Sequence, residues 1–136
     1  MAESQGKYLD LDNVRFWEDC GKQRLSIQRC GGCGRLRYPP RIICPTCLSD
    51  QIEWVSTSGR GTVYAWVTVH HPPRTYLKDE VPYNLSLIEL DDGIRMWSRV
   101  IGCPPSDVKV GMSVKVTFVP GQSDAKELTI PLFEPA

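Results

Sequence analysis

Apolar and polar positions along this chain fall into two regimes. From Val14 to Leu25 the apolar residues Val14, Phe16, Trp17, Cys20 and Leu25 keep a loose helical period, and Asp12 or Asn13 suits the start as a cap. The pattern predicts a short amphipathic helix ending near Gly21. After it the period shortens to that of strands. Leu25 and Ile27 mark a strand reaching Arg29, a second arm runs from Leu36 to Ile43, and Ile52 and Trp54 open a third strand. Beyond Ser56 come further β-rich runs: Gly61 to His70, Asn84 to Leu90, Ile94 to Ile101, Ser113 to Val119, and a last one near Leu128 to Leu132. The separators are turn chemistry: Ser58-Gly59-Arg60-Gly61, Asp91-Asp92-Gly93, Cys103-Pro104-Pro105 and Pro120-Gly121. Asp91-Asp92-Gly93 is a strong hairpin signal.

Five such runs with no space for long helices between them predict a small Greek-key barrel. At this size the OB-fold is the commonest five-stranded form, with an SH3-like barrel as the alternative. The fold class is therefore mainly β, with one short N-terminal helix. The expected division is residues 1–26 as a helical segment, 27–56 as a ribbon and 57–136 as the barrel. Pro72, Pro73 and Pro82 deny ladder hydrogen bonds to the stretch from His71 to Pro82, which reads as a loop at the barrel mouth. A chain of 136 residues with 41% hydrophobic content suits one compact unit or two very small ones and excludes a second enzyme-sized domain.

Four of the six cysteines, Cys30, Cys33, Cys44 and Cys47, form two C-x-x-C pairs. Each pair suits a knuckle, a tight turn that aims two thiolates at one metal ion. Glycines at 31, 32 and 34 permit the first knuckle, Pro45 pre-sets the second, and ten residues separate Cys33 from Cys44, enough for a short returning hairpin. The expected cofactor is one structural Zn2+ ion. Four thiolates fill a tetrahedral shell and leave no position for water or substrate. A redox C-x-x-C belongs before a helix in a βαβ unit, a setting this chain lacks. Cys20 and Cys103 remain as free thiols.

Charge sharpens the picture. Lys plus Arg and Asp plus Glu both total 16, so the formal net charge is zero, which argues against a general grip on a phosphate backbone. Between Arg15 and Arg41, however, seven basic residues stand against two acidic ones, a net of +5, while residues 42–136 carry eight basic and eleven acidic, a net of −3. Such a stretch suits a nucleotide-like cofactor, a nucleic acid, an acidic partner patch, or simply a solvated face. No apolar run approaches the roughly 18–20 residues that span a bilayer, and Met1 to Gly6 lacks the regions of a signal peptide, so the expected location is the cytoplasm, with no membrane contact.

Catalytic constellations are lacking. His70 and His71 are the only histidines, and neighbours on a strand point to opposite faces. There is no phosphate-binding glycine loop, nucleophile elbow or carboxylate pair. Asp91-Asp92 is turn chemistry, and Cys103 reads as a buried thiol without a base.

These features together resemble the acyl-CoA-associated proteins that join an N-terminal helix and a rubredoxin-like zinc ribbon to a C-terminal OB-fold, a family named for a domain of unknown function. The resemblance runs from about Phe16 to the C-terminus. It is carried by Phe16-Trp17, Gln28-Arg29-Cys30 through Cys33-Gly34, Tyr38-Pro39-Pro40-Arg41, Cys44-Pro45-Thr46-Cys47 and Glu53-Trp54. Ser58 through Tyr64, Pro82-Tyr83, Glu89 through Gly93, Val100 through Cys103 and Val110 through Val114 add to it. It implies a non-catalytic subunit that binds and stabilises a thiolase-like enzyme, whose own cysteine and histidines make or break carbon–carbon bonds on acyl-CoA thioesters. In that setting Arg35, Arg37 and Arg41, beside Tyr38, suit either CoA phosphates or an acidic partner surface. His71, Tyr76 and Tyr83 are further candidates for acyl-CoA or partner contact, the tyrosines being taken as exposed anchors. Two alternatives stay open: a module that binds single-stranded nucleic acid, and a partner of an enoyl-CoA hydratase.

Overall fold

The computed structural model describes residues 13–71, 81–121 and 128–136. Helix α1 (Val14–Gly21) leads into a three-stranded antiparallel sheet made of β1 (Ser26–Cys30), β2 (Leu36–Arg37) and β3 (Ile52–Ser56), in the order β2-β1-β3. Strands β4 (Arg60–Val69), β5 (Tyr83–Leu90), β6 (Arg95–Ser98), β7 (Ser113–Pro120) and β8 (Thr129–Pro135) build the second sheet, in the order β6-β5-β4-β7-β8. This sheet curls until its ends meet. Val100, just past β6, bridges Phe133 of β8 in parallel, with Ile101 donating to the Phe133 carbonyl at 2.7 Å and Phe133 to the Arg99 carbonyl at 2.9 Å. The result is a closed barrel of OB type.

Helix and strands were thus placed correctly by the pattern of apolar residues. The second ribbon arm was not: only Leu36 and Arg37 pair with β1, and residues 38–43 run on without ladder bonds. Proline at 39 and 40 explains this, since neither residue can donate to a neighbour. At Asp91-Asp92-Gly93 the expected hairpin forms, with Leu90 donating to the Ile94 carbonyl and Gly93 to that of Leu90, both at 2.8 Å.

One core serves both sheets. Phe16 and Cys20 of α1 and Leu25 join Val63, Ile88, Leu90, Met96, Val100, Val108, Val114 and Phe133 in a single buried cluster. Burying aromatic area is the main source of stability in a fold this small. Phe16 meets Trp17 edge-on at 5.1 Å and Tyr38, at the end of β2, at 5.6 Å, so one ring ties helix, ribbon and barrel together. Burial pushes the Cys20 thiol up to about 12, helped by the neighbouring Asp19 carboxylate. Asp19 is itself buried, accepting from Ser26 Oγ at 2.7 Å and from Arg15 Nε at 3.1 Å.

Buried polar side chains fasten the barrel. Asn84 donates from Nδ2 to the Val100 carbonyl at 2.6 Å and accepts the Val100 amide at 2.8 Å and Ser86 Oγ at 2.7 Å. Its amide stands in for a strand at the point where β6 has ended. Gly61 fills a different need. A Cβ there would collide with the Glu89 carbonyl oxygen across the β4–β5 ladder. Gly61→Ala is expected to cost about 1–3 kcal/mol through overpacking. A urea midpoint that falls at an unchanged slope reads this directly; an unmoved midpoint would mean that the ladder has room to yield.

Candidate metal centre and contact surface

Two turns of the same construction hold the four cysteines. In the first, the Cys30 amide donates to the Arg35 carbonyl and the Gly34 amide to the Cys30 carbonyl, both at 2.9 Å; in the second, the Cys44 amide donates to the Ser49 carbonyl and the Leu48 amide to the Cys44 carbonyl, both at 2.9 Å. The fifth residue of each turn is left-handed, Gly34 at φ 77° and Leu48 at φ 64°. Glycine adopts that conformation freely, whereas leucine does so at a cost of roughly 1–2 kcal/mol.

Backbone amides converge on the sulfurs. Gly32 and Cys33 donate to Cys30 Sγ at 3.3 and 3.4 Å, and Thr46 donates to Cys44 Sγ at 3.4 Å. The Cys33 amide, with that of Gly32 and the neighbouring thiols, outweighs desolvation and brings the Cys30 thiol down to about 6. The amides of Cys47 and Thr46 likewise lower the Cys44 thiol. Both shifts favour thiolate, the form that binds metal.

The fit to zinc is testable by distance. A tetrahedral ion with Zn–S bonds of about 2.3 Å sets its sulfurs about 3.8 Å apart. Cys30 and Cys47 Sγ lie 3.5 Å apart, Cys33 and Cys44 Sγ 3.7 Å apart, and all four ligand atoms fall within 4.8 Å of one another. The residues present therefore fit one structural Zn2+ ion, held by Cys30, Cys33, Cys44 and Cys47. Cys20 and Cys103 are free thiols, Cys103 being half-buried rather than buried as its sequence suggested.

The expected contact residues separate on inspection. Arg35 and Arg41 are exposed on the ribbon arm. Arg37 instead turns to the fold, donating from Nε to Gln28 Oε1 at 2.6 Å and from Nη2 to the Arg41 carbonyl at 3.0 Å. Gln28, buried on β1, also accepts the Arg41 amide at 2.8 Å and so pins the arm. Tyr38 is half-buried against Phe16, and Tyr83 keeps 8% of its surface, with the Arg99 guanidinium 4.5 Å from its ring centre. Neither is an exposed anchor, because the Phe16 ring covers Tyr38 and the Arg99 guanidinium covers Tyr83. His71 is exposed beyond the end of β4, and Tyr76 lies outside the described residues.

Different residues form the exposed apolar surface. Ile42 and Ile43 are each 51% exposed and Leu48 76%, all beside the second knuckle. On the outer face of the barrel Val67 and Trp97, 51% and 54% exposed, flank Leu85 and Leu87 through the pairs Val67–Leu85 and Leu87–Trp97. Tyr64 points outward at the register shift between Val63 and Ala65, and Arg95 stacks on its ring at 3.7 Å while pairing with Glu89 at 2.8 Å. Between the arm and the β5–β6 turn lies a groove of about 450 Å³ lined by Arg37, Arg41 and Arg95, among others. The sequence reading gave Gln28 and Arg95 no role of their own, since only the folded chain sets them beside the arm.

Residues 17–53 match the family model described as "ChsH2, rubredoxin-like zinc ribbon domain", and residues 54–119 match "ChsH2, C-terminal OB-fold domain". A "DUF35 domain-containing scaffold protein" of Methanocaldococcus jannaschii is 37% identical over 116 residues, covering 82% of each chain. The chain belongs to the DUF35 family. Another DUF35 likeness is structural: the solved "Ltp2-ChsH2(DUF35) aldolase" superposes with a TM-score of 0.81 at 34% identity, covering 94% of this chain and 97% of that one. A "Probable enoyl-CoA hydratase alpha subunit" of Thermomonospora curvata is 40% identical over 129 residues, and the present chain spans 39% of its length. The "Benzoylsuccinyl-CoA thiolase subunit BbsA" of Thauera aromatica is 31% identical over 82 residues, 60% of this chain and 55% of that one.

Proposed function

We propose that this DUF35 chain is a non-catalytic subunit that binds and stabilises a thiolase-like enzyme acting on acyl-CoA thioesters. The observation that carries the reading is the likeness along nearly the whole chain to the Ltp2-ChsH2(DUF35) aldolase. The BbsA thiolase subunit points to the same class of partner. Chemistry agrees with it: a metal held by four thiolates has no open coordination position, so it shapes the ribbon and leaves bond-making to the partner.

A second reading follows from the hydratase alpha subunit, of which this chain matches a part. There the same fold would serve an enoyl-CoA hydratase. In either setting, the groove beside the arm is the place for contact with CoA phosphates, with Arg41, exposed at its edge, as the guanidinium that pairs with phosphate oxygens. A reducing compartment favours thiolate ligation of zinc over disulfides, and we assign the chain to the cytoplasm on that ground. No helix among the described residues is long and apolar enough to cross a membrane.

Co-expression with a thiolase-like enzyme of the same organism tests the proposal. The two are expected to co-elute in size-exclusion chromatography, and carbon–carbon bond formation or cleavage on a CoA thioester is expected from the complex but not from this chain alone. Separate elution with no effect on the enzyme's yield or turnover would refute it. Co-elution with a hydratase instead would decide for the second reading.

A further inference from the structure

We infer that Leu48, with Ile42 and Ile43 beside it, is the knob through which the zinc ribbon enters a pocket of the partner enzyme. The inference rests on the proposed function and adds the surface that carries it. Its starting point is the equivalence of the two knuckles. Both close the same pair of hydrogen bonds, and both need a left-handed fifth residue. The first knuckle uses Gly34 there, at no cost. The second uses a leucine, and that leucine is 76% exposed. The left-handed backbone closes the knuckle, as glycine would without strain, but the leucine side chain placed on it stays in water. Such strain collects where a side chain is held ready for a ligand or partner.

The surroundings fit a protein pocket. Leu48, Ile42 and Ile43 are three exposed aliphatics within seven residues, on a segment clamped at Cys44 and Cys47. A backbone already held by the knuckle loses little freedom on docking, which favours an anchor at this position. Charge narrows the occupant. Arg35 and Arg41 are exposed on the arm between the knuckles, and the stretch from Arg15 to Arg41 carries a net +5 from seven basic and two acidic residues. A second copy docked through the same face would set Arg35 and Arg41 against their own equivalents. The complementary surface is an apolar pocket with an acidic rim, which we assign to the thiolase-like subunit.

The test separates backbone from side chain. Leu48→Gly and Leu48→Asn both accept a left-handed backbone and both remove the knob. Each variant is expected to bind one zinc ion per chain and to melt at or above the wild-type temperature. The dissociation constant for the co-expressed thiolase-like protein is expected to rise about tenfold to a hundredfold, the range for exposing one buried leucine. Equal affinity of wild type and variants for the enzyme would overturn the inference and leave the proposed function standing. No complex with the wild type would overturn both. Vesicles of an anionic phospholipid supply the remaining control: binding that depends on Leu48, with enzyme affinity unchanged, would also overturn it.

Discussion

Replacing Cys44 with serine should yield a chain that no longer retains one equivalent of zinc, has a disordered ribbon, and fails to co-elute with its partner enzyme. The physical reason is that the ribbon has little else to hold it. Its sheet contains a two-residue strand, and the segment from Tyr38 to Cys44 makes no ladder bonds. Structural zinc supplies roughly 10–16 kcal/mol of binding energy in small ribbons of this kind, and that energy is folding energy. Cys44 is 2% exposed and lies 3.7 Å from Cys33 Sγ, so serine at this position removes a ligand from the centre of the site. Metal analysis after dialysis and amide-resolved NMR of the ribbon check the first two outcomes, and size-exclusion chromatography checks the third. Full zinc occupancy and an unchanged complex in Cys44→Ser would show that the site and the ribbon's role are both misassigned.

Phe16→Ala should be the most damaging substitution outside the metal site. Phe16 is 2% exposed, and its ring contacts Trp17 and Tyr38 while its side chain joins the barrel core. Truncating a buried phenylalanine costs about 3–5 kcal/mol, out of a typical total of about 5–15 kcal/mol. Zinc should remain bound, because none of the four thiolates depends on this ring. Chemical denaturation combined with zinc titration therefore distinguishes the two lesions. A loss below about 1 kcal/mol would mean that α1 packs on the barrel without sealing it.

The comparison of sequence with structure turns on what a pattern can and cannot encode. Strand positions were legible because inward and outward residues alternate in β5, from Asn84 to Leu90, and because turn residues separate the runs. The metal site was legible because C-x-x-C spacing is a local property of the chain. Which tyrosines face solvent was not. Tyr38 follows a strand of only two residues, and Tyr83 shares the outer face of β5 with Leu85 and Leu87 but is covered there by the Arg99 guanidinium. In β4 alternation holds from Gly61 to Tyr64 and is lost beyond the register shift at Val63 and Ala65, which no local pattern announces. Arg37 was assigned to a ligand on charge alone, but its partner Gln28 is nine residues earlier and meets it only across the β1–β2 pair. The knob at Leu48 carries no sequence signal beyond an unremarkable leucine, since its meaning lies in a backbone angle.

Closure of the barrel through Val100 and Phe133 bears on how any partner recognises this chain. An open sheet can recruit a neighbour by extending its hydrogen-bond ladder, a mode that reads main chain and tolerates many sequences. Here the stretch of edge at Phe133 is already occupied by Arg99 and Ile101. At that seam a companion enzyme would have to read the barrel by its side chains, so that each pairing of subunit and enzyme is spelled out residue by residue. A family built this way can diverge to serve different enzymes by surface substitution while its backbone stays the same.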